Sequence, residues 1–562
     1  MSLPTTGKFW RSMFRMEAAG PSICWFNNRR FLKEKMPFAK VSIALIIFAG
    51  CFATAVAQAA PADYFAIHII DDQTGRGVPL VKLQTTNKVR YYTDSNGYVA
   101  FDEPGLMDQK IYFEISSWGY EAPEIGFDYH GAILHTTPGK EAEIKIHRKN
   151  IAERLYRLTG EGIYRDTVLL GKKPPIAQGL LNGKIMGSDT VETAIYHGKM
   201  YWFWGDSDCP FFPLGNFSTS GATSALPAEL NLDRGIDYTY FVNKENGFAR
   251  GMISVSSKQS LPIWIDGLMV VSDRAGHERM LCRFVRTKNL AVVEQGLAEF
   301  NDSKELFEQI STYPRGAPLA PQGHPMRAIT GGKTYYYFPS PYPIARVLLD
   351  YEHATDLKSY EGFTCLKPGT AFANEHSQTN RDDKGNLVWA WQQGADPIGP
   401  GQFNTLEKAG LVKADESPYQ MQDAATGALL HVVQGTVAWN PYLKKWTMLF
   451  GQQGGESNLG EIWFATSNAP EGPWRAARKV ATHAMKKDNN DFYNPMQHPE
   501  FMQAGGKFIY FEGTFVTTFS GNPAPTPRYD YNQMMYRLDL SDPNLALPEP
   551  PPGLTQTDPV PQ

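Results

Sequence analysis

Cysteine is scarce in this chain, with five residues among 562. Two of them, Cys24 and Cys51, fall in the N-terminal stretch. The other three, Cys209, Cys282 and Cys365, are too few for a disulfide framework and too scattered for a thiolate metal site. An excess of positive charge is missing as well: 54 Lys and Arg face 58 Asp and Glu. Residues 1–59 hold eight Lys/Arg and two Glu, so the rest of the chain carries a net charge of about −10. That balance excludes a basic nucleic-acid-binding surface. The histidines show no local zinc-ligand spacing, so no metal site is expected, although His324, His498 and an Asp could approach one another in space. No cofactor is implied, and a structural Ca²⁺ cannot be read from the sequence.

Uncharged apolar runs are also few, and one stands out. Residues 41–60, VSIALIIFAGCFATAVAQAA, follow Lys40 and end in small residues, the pattern of a secretory signal peptide cut after Ala59. The pattern fits best if Met36 is the start. Two alternatives stay open: an uncleaved anchor, since the run is long enough to span a membrane, and a lipoprotein attached at Cys51 in Phe48-Ala49-Gly50-Cys51. The expected location is exported: periplasmic, secreted or outer-membrane-attached in a bacterium. Membrane contact is expected through this segment alone.

Against these scarcities, the chain is rich in turn formers and aromatics: 50 Gly, 40 Pro and 13% Phe, Trp and Tyr. Many turns joined by aromatic runs predict an all-β protein. Four segments follow: a leader at 1–59, a small β-sandwich at 60–150, a five-bladed β-propeller at 151–545 and a Pro-rich tail at 546–562. In the second, YFAIHIIDDQTGRGVPLVKLQTT, YYTDSNGYVAFDEPG and IYFEISSWGYE alternate strands with turn residues. In the third, a Gly-Lys turn followed by an aromatic strand recurs: HGKMYWFWGD (197–206), GGKTYYYFPS (331–340) and GGKFIYFEGT (505–514). Looser copies are AGHERMLCRFV (275–285) and YLKKWTMLFG (442–451). Five copies of one hairpin indicate radial or stacked repetition. A β-sandwich or jelly roll is the alternative.

Seven to ten residues before each turn, another strand is expected to begin, at Asp189, Asp266, His324, Thr436 and His498. In a propeller these innermost strands line one channel, so the polar members would meet at its mouth. Paired carboxylates there suit glycosidic cleavage, in which one protonates the leaving oxygen and the other activates water or attacks carbon. Asp189 fits the base, Asp266 a tuning acid, and Glu500 or Glu461 the proton donor. His324, His498 and Asp206 would bind hydroxyls, and Trp202, Trp204 and Trp264 would stack on sugar rings. Arg528, Tyr529 and Asp530, in NPAPTPRYDYNQMMYRLDL (522–540), suit either carboxylate or hydroxyl recognition or a buried network that closes the ring. Asp206 and Asp208, and likewise Glu512, follow an aromatic strand and could be turn caps or parts of a polar ring.

The 64–148 unit resembles the prealbumin-like, carboxypeptidase-regulatory-like sandwich of secreted bacterial proteins. The blade-opening Asp, GEIWFATSNAPEGPW (460–474) and HPEFMQAGGKFIYFEG (498–513) resemble the five-bladed family 43 glycoside hydrolases. A related group of uncharacterised exported bacterial proteins shares YNPMQHPEF, IYFEGTF and TPRYDYNQMMYRLDL. The family 43 resemblance implies a general base at Asp189 and a pKa-tuning Asp at Asp266. Its acid belongs at an inner-strand start, where this chain has His324 or His498 with Glu500 displaced. The expected function is an exported glycosidase cleaving a poly- or oligosaccharide. A polysaccharide lyase and a non-catalytic carbohydrate-binding or scaffold propeller are the alternatives.

Overall fold

The computed structural model describes residues 63–560 apart from 258–259, 486–487 and 523. The expected leader and the apolar run at 41–60 lie outside the described residues. Over 63–148, two sheets enclose a core. One orders Tyr98–Phe101, Phe65–Asp71, Glu141–Arg148 and Tyr120–Glu121. The other orders Arg90–Tyr92, Lys82–Thr85, Lys110–Ser116, Tyr129–His135 and Glu124–Gly126. Period-two alternation puts Ile67, Ile69, Leu83, Val99, Phe113 and Ile115 between them.

Five further sheets, blades I to V, follow. Their first and second strands are Glu192–Tyr196 with Lys199–Trp204, Ile263–Ser272 with Glu278–Lys288, Met326–Thr330 with Lys333–Pro339, Val432–Asn440 with Lys445–Gln452, and Asp491–Gln497 with Phe508–Val516. The aromatic second strands lack polar alternation because both faces are buried. In blade I, Met200, Trp202 and Trp204 pack toward Met496, Tyr510 and Met535 of blade V. Phe203 packs the other way, toward Ile263, Met280 and Phe284 of blade II. The same division repeats at Tyr336 and Phe338 against blade II, and at Tyr335 and Tyr337 against blade IV. Leu449 of blade IV meets Phe492, Ile509 and Phe511 of blade V. Five inter-blade cores therefore close a ring: a five-bladed β-propeller.

The two ends of the propeller segment join in blade V, where Glu153–Arg157 pairs antiparallel with Asn532–Asp539. Arg537 bridges to Glu153 at 2.6 Å across this seam. The tail then crosses blade IV. Asn468 donates to the carbonyls of Pro550 and Pro551, and Thr555 donates to the buried Glu471. Asp558–Pro559 ends against Ala328 and Ile329 of blade III. The sandwich is bonded to the propeller: Trp118 donates to the Asp488 carbonyl at 2.7 Å, and Lys82 pairs with the Asp488 carboxylate at 2.6 Å.

Three inner strands begin earlier than the spacing predicts and two later. In blade II the strand starts at Ile263, before Asp266, in blade IV at Val432, before Thr436, and in blade V at Asp491, so His498 follows its end. In blades I and III it starts at Glu192 and Met326, so Asp189 and His324 precede it. The cause in blade V is the turn. Residues 498–507 carry two short 3-10 turns instead of a tight hairpin, so counting back from Gly-Lys lands past the strand. Bulges interrupt three inner strands, between Asp266 and Met269, Val433 and Gly435, and Tyr493 and Met496. Such bulges re-aim side chains at channel rims.

Candidate active site

A separate three-stranded sheet, Gly187–Ser188, Ser207–Cys209 and Phe212–Asn216, sits beside blade I. Asp189 follows its first strand and Asp206 precedes its second, and Gly187 and Ser188 pair with Asp208 and Ser207. This pairing brings the two carboxylates together. The hydroxyls of Ser188, Ser207 and Ser220 form a buried chain at 2.9 Å steps beneath them. Gly205 is required here, because a Cβ on it would lie 2.2 Å from Asp189 Oδ1.

Asp189 Oδ1 accepts from the Asp206 backbone N–H at 3.0 Å, and Oδ2 accepts from the Tyr493 hydroxyl at 2.9 Å. The Tyr531 side chain is a third donor. Asp206, only 6% exposed, accepts from Trp264 Nε1 at 2.7 Å. Burial pushes both carboxyls above the ordinary range. The charge of Asp189 adds to the rise at Asp206, and that of Asp208 adds at both. Asp208 is itself raised by burial, and its carboxylate caps the Leu214 N–H.

The backbone around this pair is strained. Thr190, Gln434, Asn494 and Tyr531 all adopt positive φ, 50°, 45°, 51° and 59°. For a β-branched or bulky residue that conformation is costly and collects at functional sites. Hydrogen bonds lock three of them together: Asn494 Nδ2 donates to Thr190 Oγ1 at 2.6 Å, and Asn494 N–H donates to Gln434 Oε1 at 2.9 Å.

Blades II and III supply the opposite rim. Asp266, its side chain 30% exposed, takes Arg283 Nη1 at 3.0 Å and the Gly323 N–H at 3.5 Å. Among the described residues, its Oδ1 has no partner. Burial raises its pKa, while Arg283 and His324 oppose the rise. His324 lies at ion-pair distance, 3.3 Å, from the buried Glu192. His498 is held by Glu512 at 2.8 Å and Glu500 at 3.4 Å. Burial opposes its charge, yet those two carboxylates outweigh burial and hold its pKa at about 9. Glu500 also accepts from Thr193, whereas Tyr493 and Asn494 meet Asp189 and Thr190. Glu500 and His498 thus lie further along the inner strands than the Asp189 pair.

The remaining candidates sit elsewhere. Trp202 and Trp204 are sealed in the core between blades V and I, stacked at 6.3 Å, so neither has a face free for a sugar ring. Trp264 is the tryptophan that reaches the acids. Glu461 is buried in blade IV, where Ser457 donates to its carboxylate from N–H and Oγ at 3.0 and 3.2 Å. It organises the loop before the third strand of that blade. Tyr529 is 2% exposed, donates to the Thr93 carbonyl of the sandwich and lies 4.7 Å from the Arg157 guanidinium. Arg528 pairs with Glu161 at 2.6 Å. This stretch is a strut between sandwich and propeller rather than a recognition surface. Asp530 alone leans toward the acids: burial lifts its pKa to about 6, with a contribution from Asp208. His376 pairs with Glu375 on the surface. Cys209, Cys282 and Cys365 are buried and unpaired. Among the described residues, no cluster of His, Cys, Asp and Glu has metal-binding geometry.

Tyr493, Tyr531, Glu192, Arg283, Asn494, Thr190 and Gln434 escape the sequence reading. Their participation depends on bulges and left-handed backbone, for which a lone Tyr or Asn gives no signal. Period-two alternation could have flagged Glu192, the one acid in an otherwise apolar strand.

No protein-family model matches the chain, and no curated protein matches it. Solved structures do. An exo-β-1,3-galactanase from Phanerochaete chrysosporium is 8% identical, with a TM-score of 0.32 over 69% of this chain and 65% of that one. A thermostable family-43 glycoside hydrolase is 11% identical, with a TM-score of 0.29 over 65% of this chain and 97% of that one. An endo-1,5-α-L-arabinanase from Thermotoga petrophila is 9% identical, with a TM-score of 0.31 over 62% of this chain and 71% of that one.

Proposed function

We propose that this protein is an exported glycoside hydrolase acting on a poly- or oligosaccharide bound at the mouth of the propeller. The observation that carries the reading is the Asp189–Asp206 pair, two adjacent carboxyls raised by burial, with the charge of Asp189 raising Asp206 further. Like charges this close do not both ionise readily, so the pair retains a proton near neutral pH. Asp206, raised further, to about 8, sets how firmly the pair holds that proton, and Asp189, the more exposed of the two, delivers it to the leaving oxygen. Asp266 faces a guanidinium, which favours its anion, and it serves as the carboxylate that activates water or attacks carbon. These roles reverse the expectation for Asp189 and replace Glu500 and Glu461 as donors. Export rests on the apolar segment at 41–60.

The test is a screen of the purified protein against plant and algal glycans, read by new reducing ends. Asp189→Asn and Asp266→Asn are each expected to lower kcat/KM by about 10²–10⁴-fold. Asp206→Asn should move the alkaline limb of the pH–rate profile to lower pH, because the pair loses the carboxyl raised to about 8 and keeps only Asp189, raised to about 6. Hydrolysis that survives both Asp189→Asn and Asp266→Asn would sink the assignment. A product absorbing in the ultraviolet would identify a lyase instead.

A further inference from the structure

Away from these acids, a cavity of about 890 Å³ lies between the outer face of the sandwich and the loops of blade I. Its size is that of a small-ligand site. On the sandwich wall, His68 and Tyr98 are cross-strand partners whose rings stack at 4.1 Å and 10°. Burial lowers the His68 pKa, so this ring is neutral and the wall is aromatic rather than cationic.

The fixed charges on the two walls cancel. Arg76, Lys173 and Arg234 are matched by Glu229, Asp233 and Asp237. A balanced wall favours neither anions nor cations, but it offers both donors and acceptors, the demand a sugar hydroxyl makes. Several donors are unused. Among the described residues, the Lys173 and Arg234 side chains have no ion pair or hydrogen bond, and Arg76 Nε is buried without a partner. The acids, in contrast, are anchored: Asp237 accepts from the Ala177 N–H at 2.7 Å, and Asp233 pairs with Arg537 at 3.0 Å. Asp233 and Asp237 are thus held in place, and the exposed Lys173 and Arg234 side chains stand beside them as spare donors.

We infer that this cleft binds a neutral oligosaccharide at a site distinct from the Asp189 pair. The choice of ligand rests on the glycan-acting reading above, whereas the existence of the site does not. A carbohydrate held there would tether substrate to the enzyme and raise its effective concentration at the mouth.

The experiment uses the full chain carrying Asp189→Asn, with diazirine-tagged xylotriose, arabinotriose and galactotriose as probes and trigalacturonate as the charged control. Labelled peptides are expected from residues 171–178 or 229–237. Lys173→Ala combined with Arg234→Ala should weaken the bound probe by about tenfold or more without lowering Tm. Asn231→Trp, which fills the exposed side of the cleft, should do the same. Labels confined to peptides around Asp189 and Asp266 would overturn the inference. So would affinities within about twofold of the parent in both variants, no binding of any neutral probe, or preference for trigalacturonate. Cleft labelling by a wild-type protein that hydrolyses nothing would leave this site standing and remove the catalytic reading alone.

Discussion

Asp206 carries a cost that the fold does not need. It is 6% exposed, beside another carboxylate, and among the described residues no cation is bonded to it. A carboxyl whose pKa is raised by folding stabilises the native state below its ordinary pKa and loses that contribution as pH rises toward the folded value. Asp206→Asn keeps an oxygen for Trp264 and removes the buried charge. Its Tm is therefore expected to exceed that of wild type, with a gap that widens from about pH 5 to about pH 8. A gap that narrows over that interval would mean the wild-type pair is stabilising when charged. Activity should fall in the same variant, since stability is commonly sacrificed where a site needs a perturbed proton.

At the scale of the element, the small sheet at 187–216 matters more than blade I itself, because it sets the spacing between the two acids. Gly205→Ala would put a methyl group 2.2 Å from Asp189 Oδ1 and displace the carboxylate. We expect an activity loss of about 10²-fold with about 1–3 kcal/mol of destabilisation, read by kcat/KM and by denaturant unfolding. The contrasting variant is Gly198→Ala, in the turn at the other end of the hairpin. His197 and Gly198 both have positive φ there, and nothing lies near the glycine. It should cost about 1–2 kcal/mol of backbone strain and leave activity unchanged. Equal activity in the two variants would detach the acid pair from this sheet. The Gly-Lys turn was legible from sequence because left-handed turns demand glycine. The strain at Thr190 and Gln434 was not, since those residue types advertise no such conformation.

Over the whole molecule, stability depends on closing the ring. Each blade buries both faces against its neighbours, so no blade has a complete core alone. The seam in blade V joins residues almost 400 positions apart, with Arg537 bridging Glu153, whose side chain is 6% exposed. Arg537→Met would leave that carboxylate buried and unpaired, at an expected cost of about 3 kcal/mol. Unfolding should remain a single transition at a lower Tm. Loss of blade V signals ahead of the others would show instead that the blades are stable without closure.

What the chain's order of residues determined was the periodic part: an all-β architecture, five aromatic hairpins, and an Asp in or just before the inner strand of each of the first two blades. These follow from local chemistry, because turn residues, β-branched and aromatic side chains, and period-two burial act over a few positions. The choice among the acids was made by tertiary structure. Asp206 fitted a turn cap or a hydroxyl contact until the sheet at 187–216 folded it against Asp189. Glu461 looked like a candidate donor until blade IV buried it among serine donors. Tyr529 fitted a ligand contact and a buried network equally until the sandwich closed over it. Proton affinity depends on desolvation and on groups within a few ångströms, and those neighbours come from distant parts of the chain, as Tyr493 and Tyr531 do for Asp189.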